Sequence, residues 1–162
     1  MNLLALLQIL ILVTVANATP VIAKRLLGSR FAHSVDGNIT LCDGRPLLGP
    51  SKTVRGLLLA LVVTAAAAPL LRLDVALGLL VGASAMAGDL LSSFLKRRLR
   101  FAPSSRATGL DQIPEVLFPL LACQAALGLN VFDIAAGVVI FLLGEILISR
   151  VLFRLRLRDR PY

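Results

Sequence analysis

Residues 88–100, GDLLSSFLKRRLR, end an apolar run that begins at Val75. They bring one carboxylate (Asp89), two hydroxyls (Ser92, Ser93) and four cations (Lys96, Arg97, Arg98, Arg100) to one place. Ser93 follows Asp89 by four residues, and Lys96 and Arg97 follow Ser93 by three and four, so the four share a helix face. A carboxylate takes a hard divalent cation. A hydroxyl and cations take phosphate oxygens, and a nucleotide–metal complex presents both groups. The plainer alternative is that Asp89 and Glu145 pair with arginines such as Arg97 and Arg150 and fix helix packing.

A second polar stretch, DGRPLLGPSKTVRG (43–56), is rich in turn residues and then opens a helix, with Ser51 as a candidate N-cap. A helix N-terminus carrying Lys52, Thr53 and Arg55 suits an anion. The spacing is not that of a Walker A loop, and a positive-inside cluster with a tight turn is the competing account. His33 is the only histidine and has no second ligand in view. Cys42 and Cys123 form neither a CxxC nor a zinc pattern.

The elements that must carry these groups are membrane spans. Of 162 residues, 57% are hydrophobic and 16% charged, and the mean hydropathy is +0.88. Clustered charges and long uncharged runs point to one all-α integral membrane domain, residues 1–162. Five spans are expected, at about 3–22, 54–71, 73–95, 113–129 and 131–153, with cytoplasmic loops 23–53 and 96–112. Pro114 suits the start of span four, and Pro119 should kink it. Lysine and arginine concentrate in the first and third connections and in the tail (Arg150, Arg154, Arg156, Arg158, Arg160), while the other two connections hold only Arg72. The positive-inside rule then puts the N-terminus outside and the C-terminus in the cytoplasm. "ANA" at 16–18 resembles a signal-peptidase site, but the preceding MNLLALLQ has no basic n-region, so the first span is read as retained.

Asn17, Asp89 and Glu145 each lie fourteen residues from the start of their span, which puts them about 21 Å into a core of about 30 Å. Asp111 and Glu115 enter from the same face, as do Lys52 and Arg55. A net charge of +8 beside apolar spans favours anionic lipid headgroups or a phosphate substrate over nucleic acid.

GDLLSSFLKRR fits the pattern G-D-x-x-x-S-x-x-K-R, and the acidic element LDQIPE follows it. Together they resemble the signature of CTP-dependent cytidylyltransferases of membrane lipids, namely CDP-diacylglycerol synthase and, closer in size and layout, CDP-archaeol synthase. GPSKTVRG is similar to the loop G-x-x-K-T-x-x-G that the archaeol enzymes carry before their second span. The resemblance covers roughly residues 1–153. It implies an enzyme of the cell membrane with a cytoplasmic site, in which a lipid phosphate attacks the α-phosphate of CTP, a CDP-lipid forms and pyrophosphate leaves. It implies Asp89, Asp111 and Lys96 as catalytic. Lys52, Thr53, Ser93, Arg97 and Gln112 would bind substrate, with Arg55 added from its position. Asp89, Asp111 and Glu115 would hold Mg2+, with Mn2+ as the alternative ion. Where the diacylglycerol enzymes place a second aspartate, three residues after the position of Asp111, this chain has Pro114 and then Glu115. A non-catalytic protein of the same fold that binds anionic lipid or a partner complex is the competing function. A homodimer is left open.

Overall fold

The computed structural model describes residues 2–102, 105, 107 and 109–154, with side chains described to residue 147. Arg106 and the tail residues Arg156, Arg158 and Arg160 lie outside the described residues, as do the side chains of Arg150 and Arg154. Among the described residues six α-helices follow one another: α1 Leu3–Leu27, α2 Val54–Ala67, α3 Val75–Arg98, α4 Gln112–Ala122, α5 Gln124–Leu127 and α6 Val131–Arg154. No strand forms among the described residues, only two isolated bridges in the first loop, Ser34–Thr53 and Thr40–Pro46.

Capping side chains set the helix starts. Asn2 accepts from Ala5 N at 3.3 Å, Thr53 Oγ1 from Gly56 N at 3.2 Å, and Asp74 from Ala76 N at 2.7 Å. Asn130 and Asp133 form a reciprocal box at the start of α6. Several boundaries differ from those expected. α1 runs through Pro20 to Leu27 rather than ending at 22, and places Lys24 and Arg25 in its last turn, where cations suit the carbonyl end. The second span ends in a 3-10 turn, Ala68–Leu71, and Leu73 lies in the connection. α3 continues to Arg98, so Lys96 and Arg97 are helical. The fourth span is broken rather than kinked. Pro119 has no amide to donate, the helix stops three residues later, and Cys123 N returns to Pro119 O at 3.0 Å.

Leu6, Ile9, Leu12 and Val13 of α1, Val81 of α3, Val116 and Leu120 of α4, and Phe141 of α6 form the core. Leu58, Val62, Leu70 and Leu143 point outward, as expected where lipid is the solvent. α1, α2 with its 3-10 turn, and α3 are each long and apolar enough to cross a bilayer.

Small residues set how closely the helices approach. A Cβ at Gly78 would lie 2.5 Å from Ala68 Cβ, and one at Gly82 would lie 3.2 Å from Thr64 Cβ, which makes a G-x-x-x-G seam against α2. Gly88 is tighter still: a Cβ there would lie 2.2 Å from the carbonyl oxygen of Pro114 and 2.7 Å from Glu115 N. The glycine ahead of Asp89 therefore lets α3 lie directly on the first turn of α4. Gly88→Ala forces the two backbones apart and should cost about 3 kcal/mol or more. Gly144→Ala meets nothing within 4 Å and should be neutral or slightly stabilising. Thermal unfolding of both variants in detergent checks the pair.

Candidate functional site

Asp89 lies on α3, half-buried, and Lys52 Nζ donates to both of its carboxylate oxygens at 2.6 Å. Glu115, from the first turn of α4, lies beside Asp89: its backbone nitrogen packs on Gly88, and the two carboxyl groups act on one another. Two carboxyl groups this close need a proton or a cation between them. Asn17 of α1 donates from Nδ2 to Glu115 Oε2 at 2.7 Å, and its own Oδ1 is buried with no partner. Glu145 of α6 is near enough to act on Glu115 electrostatically. Four helices and the first loop thus deliver polar groups to one depth, as the fourteen-residue spacing predicted for Asn17, Asp89 and Glu145.

The first loop is built around Asp36, which sequence reasoning did not single out. Its carboxylate accepts from Asn38 N at 3.0 Å, Leu48 N at 2.8 Å and Gly49 N at 2.9 Å, and from the Ser34 hydroxyl. Burial alone would raise its pKa, but these four donors outweigh burial and hold the carboxyl well below the usual carboxylate range. Gly49 O receives Lys52 N at 3.2 Å, and Lys52 O receives Val35 N at 2.9 Å. Lys52 is thereby fixed at the mouth of α2, with its side chain directed to Asp89. The serine and glycine around "SVDGN" are the turn signal that could have revealed this hub.

The other predicted residues divide between the site and its frame. Lys96 pairs with Asp111 at 2.7 Å and also reaches Ser105 O at 3.0 Å. Seven residues separate Lys96 from Asp89 on α3, about 10 Å along the axis, while on the facing element Asp111 caps α4 four residues before Glu115. Ser93 is 3% exposed and lies between Asp89 and Lys96 on α3. Arg97 does not pair with Asp89. Its guanidinium donates to Phe101 O at 2.8 Å and Ala102 O at 3.0 Å and closes the end of α3. Arg55 donates to the carbonyls of Arg30 and Gly28 and ties α2 to the end of α1 rather than facing the cluster. Thr53 spends its hydroxyl on the α2 cap, and Gln112 accepts from Gly109 N at 2.6 Å.

The predicted metal set is divided in the same way. Among the described residues no three of His, Cys, Asp and Glu converge as a metal site. Asp89 lies beside Glu115 and is held by Lys52, while Asp111 is held by Lys96. Two carboxylates and the unpartnered Asn17 Oδ1 still suit Mg2+, an oxygen-seeking ion that commonly takes one or two carboxylates and completes its shell with water and phosphate.

Residues 65–162 match the family model described as CarS-like, CDP-archaeol synthase. The chain is 33% identical over 134 residues to CDP-archaeol synthase of Sulfurisphaera tokodaii, covering 79% of this chain and 81% of that protein. It is 34% identical over 162 residues to CDP-archaeol synthase of Aeropyrum pernix, covering 88% and 90%. A solved structure described as an intramembrane enzyme for archaeal membrane lipid biosynthesis superimposes with a TM-score of 0.76 at 31% identity, over 88% of this chain and 90% of that one.

The Asp36 hub has a pH signature. A carboxyl whose folded pKa is depressed adds stability above its unfolded value of 3.8, and loses it as pH falls through the folded value. Asp36→Ala should lower neutral-pH stability by about 1–3 kcal/mol. It should also flatten the loss of stability that wild type shows below about pH 4. Thermal unfolding in detergent at stepped pH gives both numbers.

Proposed function

The chain belongs to the CDP-archaeol synthase family of membrane-embedded, CTP-dependent lipid cytidylyltransferases, and from that premise we propose how its own residues carry the reaction. The substrate is a diether lipid phosphate. One of its phosphate oxygens attacks the α-phosphorus of CTP, a new P–O–P bond forms, the α–β bond breaks, and pyrophosphate leaves. The observation that carries this assignment is the junction of Asp89, Lys52 and Glu115 at one depth.

Phosphoryl-type transfer asks the protein mainly for position and for charge around the reacting oxygens. Asp89 and Glu115, with Asn17 beside them, would hold Mg2+, which when bound neutralises charge on the phosphates. Lys52 has a flexible stem and three donors, so the ammonium that sits on Asp89 can also serve a phosphate oxygen. Ser93 and Lys96 extend the polar strip by two turns, enough for a second and third phosphate. Arg97, Arg55, Thr53 and Gln112 act through the backbone they hold. The site faces the cytoplasm, because the basic loop that supplies Lys52 marks that side. CTP then enters from water while the lipid slides in from its leaflet.

The test is product formation by the purified chain in detergent, with labelled CTP, Mg2+ and either a diether or a diacyl lipid phosphate. Wild type should form CDP-lipid and favour the diether. Asp89→Asn should lose about 100-fold or more while remaining folded, since a preorganised charge at a reacting phosphate is worth that much. Folded wild type that yields no CDP-lipid from either substrate would instead make the protein a non-catalytic relative that binds anionic lipid.

A further inference from the structure

Lys52 reaches Asp89 from the last residues of the first loop, so the loop must fix where this lysine stands. Residues 33–35 and 52–54 form a short antiparallel seam. Val54 N donates to His33 O at 2.9 Å and Val35 N to Lys52 O at 2.9 Å, on either side of the Ser34–Thr53 bridge. Side chains alternate along extended backbone. Thr53 is extended and turns into the α2 cap, where it accepts from Gly56 N at 3.2 Å. Lys52 turns the other way, to Asp89 at 2.6 Å.

Asp36 follows this seam directly and ties it to the approach to α2. Its Oδ1 serves its own turn, accepting from Asn38 N at 3.0 Å and from the Ser34 hydroxyl. Its Oδ2 serves the other segment, accepting from Leu48 N at 2.8 Å and Gly49 N at 2.9 Å. Gly49 O in turn accepts from Lys52 N at 3.2 Å. The amide of Lys52 is thus bonded to a residue that Asp36 grips, and its carbonyl to the residue just before Asp36.

Two features separate Asp36 from an ordinary turn carboxylate. It is 5% exposed, yet it makes no ion pair among the described residues. A charge buried in that way is tolerated only when hydrogen bonds replace its water. All four groups that face it are donors, two to each oxygen. An amide of the same shape has one acceptor oxygen, so its NH2 would meet donors and release one of the two segments. We propose, resting on the reaction above, that Asp36 is a positioning residue that acts through Lys52: its two oxygens hold the two segments that aim the ammonium at Asp89 and at a substrate phosphate. A charge-assisted hydrogen bond is short, and an ammonium displaced from its place loses it.

Chemical labelling of the full chain in detergent tests the placement without turnover. Formaldehyde with cyanoborohydride methylates accessible amines, and peptide mass spectrometry reads Lys24, Lys52 and Lys96 separately. In wild type, exposed Lys24 should react first, and Lys52, held on both Asp89 oxygens, more slowly. Asp36→Asn should label Lys52 at least fivefold faster and leave Lys96 unchanged. Asp43→Asn, which loosens the Arg98 contact elsewhere in the same loop, should leave Lys52 within twofold. CTP affinity in Mg2+, read by thermal stabilisation, tests the consequence. Asp36→Asn should weaken it at least fivefold in wild type and less than twofold in Lys52→Met, because a residue that acts through Lys52 loses its effect with it. If Asp36→Asn does not fold, Ser34→Ala keeps the carboxylate, removes one donor and should speed Lys52 labelling at least twofold. Unchanged Lys52 labelling in the Asp36 or Ser34 variant, equal acceleration by Asp43→Asn, or a full fivefold loss on top of Lys52→Met overturns the proposal. Folded wild type that binds no CTP in Mg2+ overturns the proposed reaction instead, and Lys52 labelling still decides the placement.

Discussion

A carboxylate inside an apolar slab must find a cation or give up its charge, and Asp89 finds Lys52 at 2.6 Å on both oxygens. Much of the chain is arranged to make that meeting possible. Lys52 comes from a loop whose backbone is gathered on Asp36, and α2 is tied to α1 by Arg55. Asp89 sits on a helix pressed against α2 through Gly78 and Gly82 and against α4 through Gly88. Such a pair is weak evidence for stability, because removing two charges from water offsets most of their attraction. In a protein this apolar each member of the pair keeps the other tolerable in the membrane, and the proposed chemistry would use both.

Much of this layout was legible from the sequence. Hydropathy located the helices, because about twenty apolar residues are needed to cross a bilayer whatever the tertiary contacts. Counting fourteen residues into three spans placed Asn17, Asp89 and Glu145 at one level, because helical rise is fixed. Of the residues singled out around Lys52 and along the strip from Asp89 to Lys96, the structure brings Lys52 to Asp89 and Lys96 to Asp111. Side-chain direction was not legible. Arg55, Thr53 and Arg97 have the residue types of a phosphate site, yet their donors and hydroxyl go to nearby backbone groups. Helix ends and loops leave carbonyls and amides that must be satisfied, and those local demands take polar side chains that spacing alone would assign to a ligand. Asp36 was missed for the converse reason. A carboxylate in a short polar turn looks like a solvated loop residue until the amides of Leu48 and Gly49 fold back on it.

The break in the fourth span belongs to the same account. Proline at 114 falls in the first turn of α4, where a missing N–H costs no helical bond. Its carbonyl faces Gly88 so closely that no larger residue fits there. That contact puts the next residue, Glu115, beside Asp89. Glu115 stands one position later than the second aspartate of the diacylglycerol pattern, and the glycine before Asp89 gives the room for it to lie there. Asn17 of α1 donates to Glu115 at 2.7 Å. Pro114 and Glu115 pack on Gly88 together: the carbonyl of one and the amide of the other lie against it, and that close approach sets the Glu115 side chain beside Asp89.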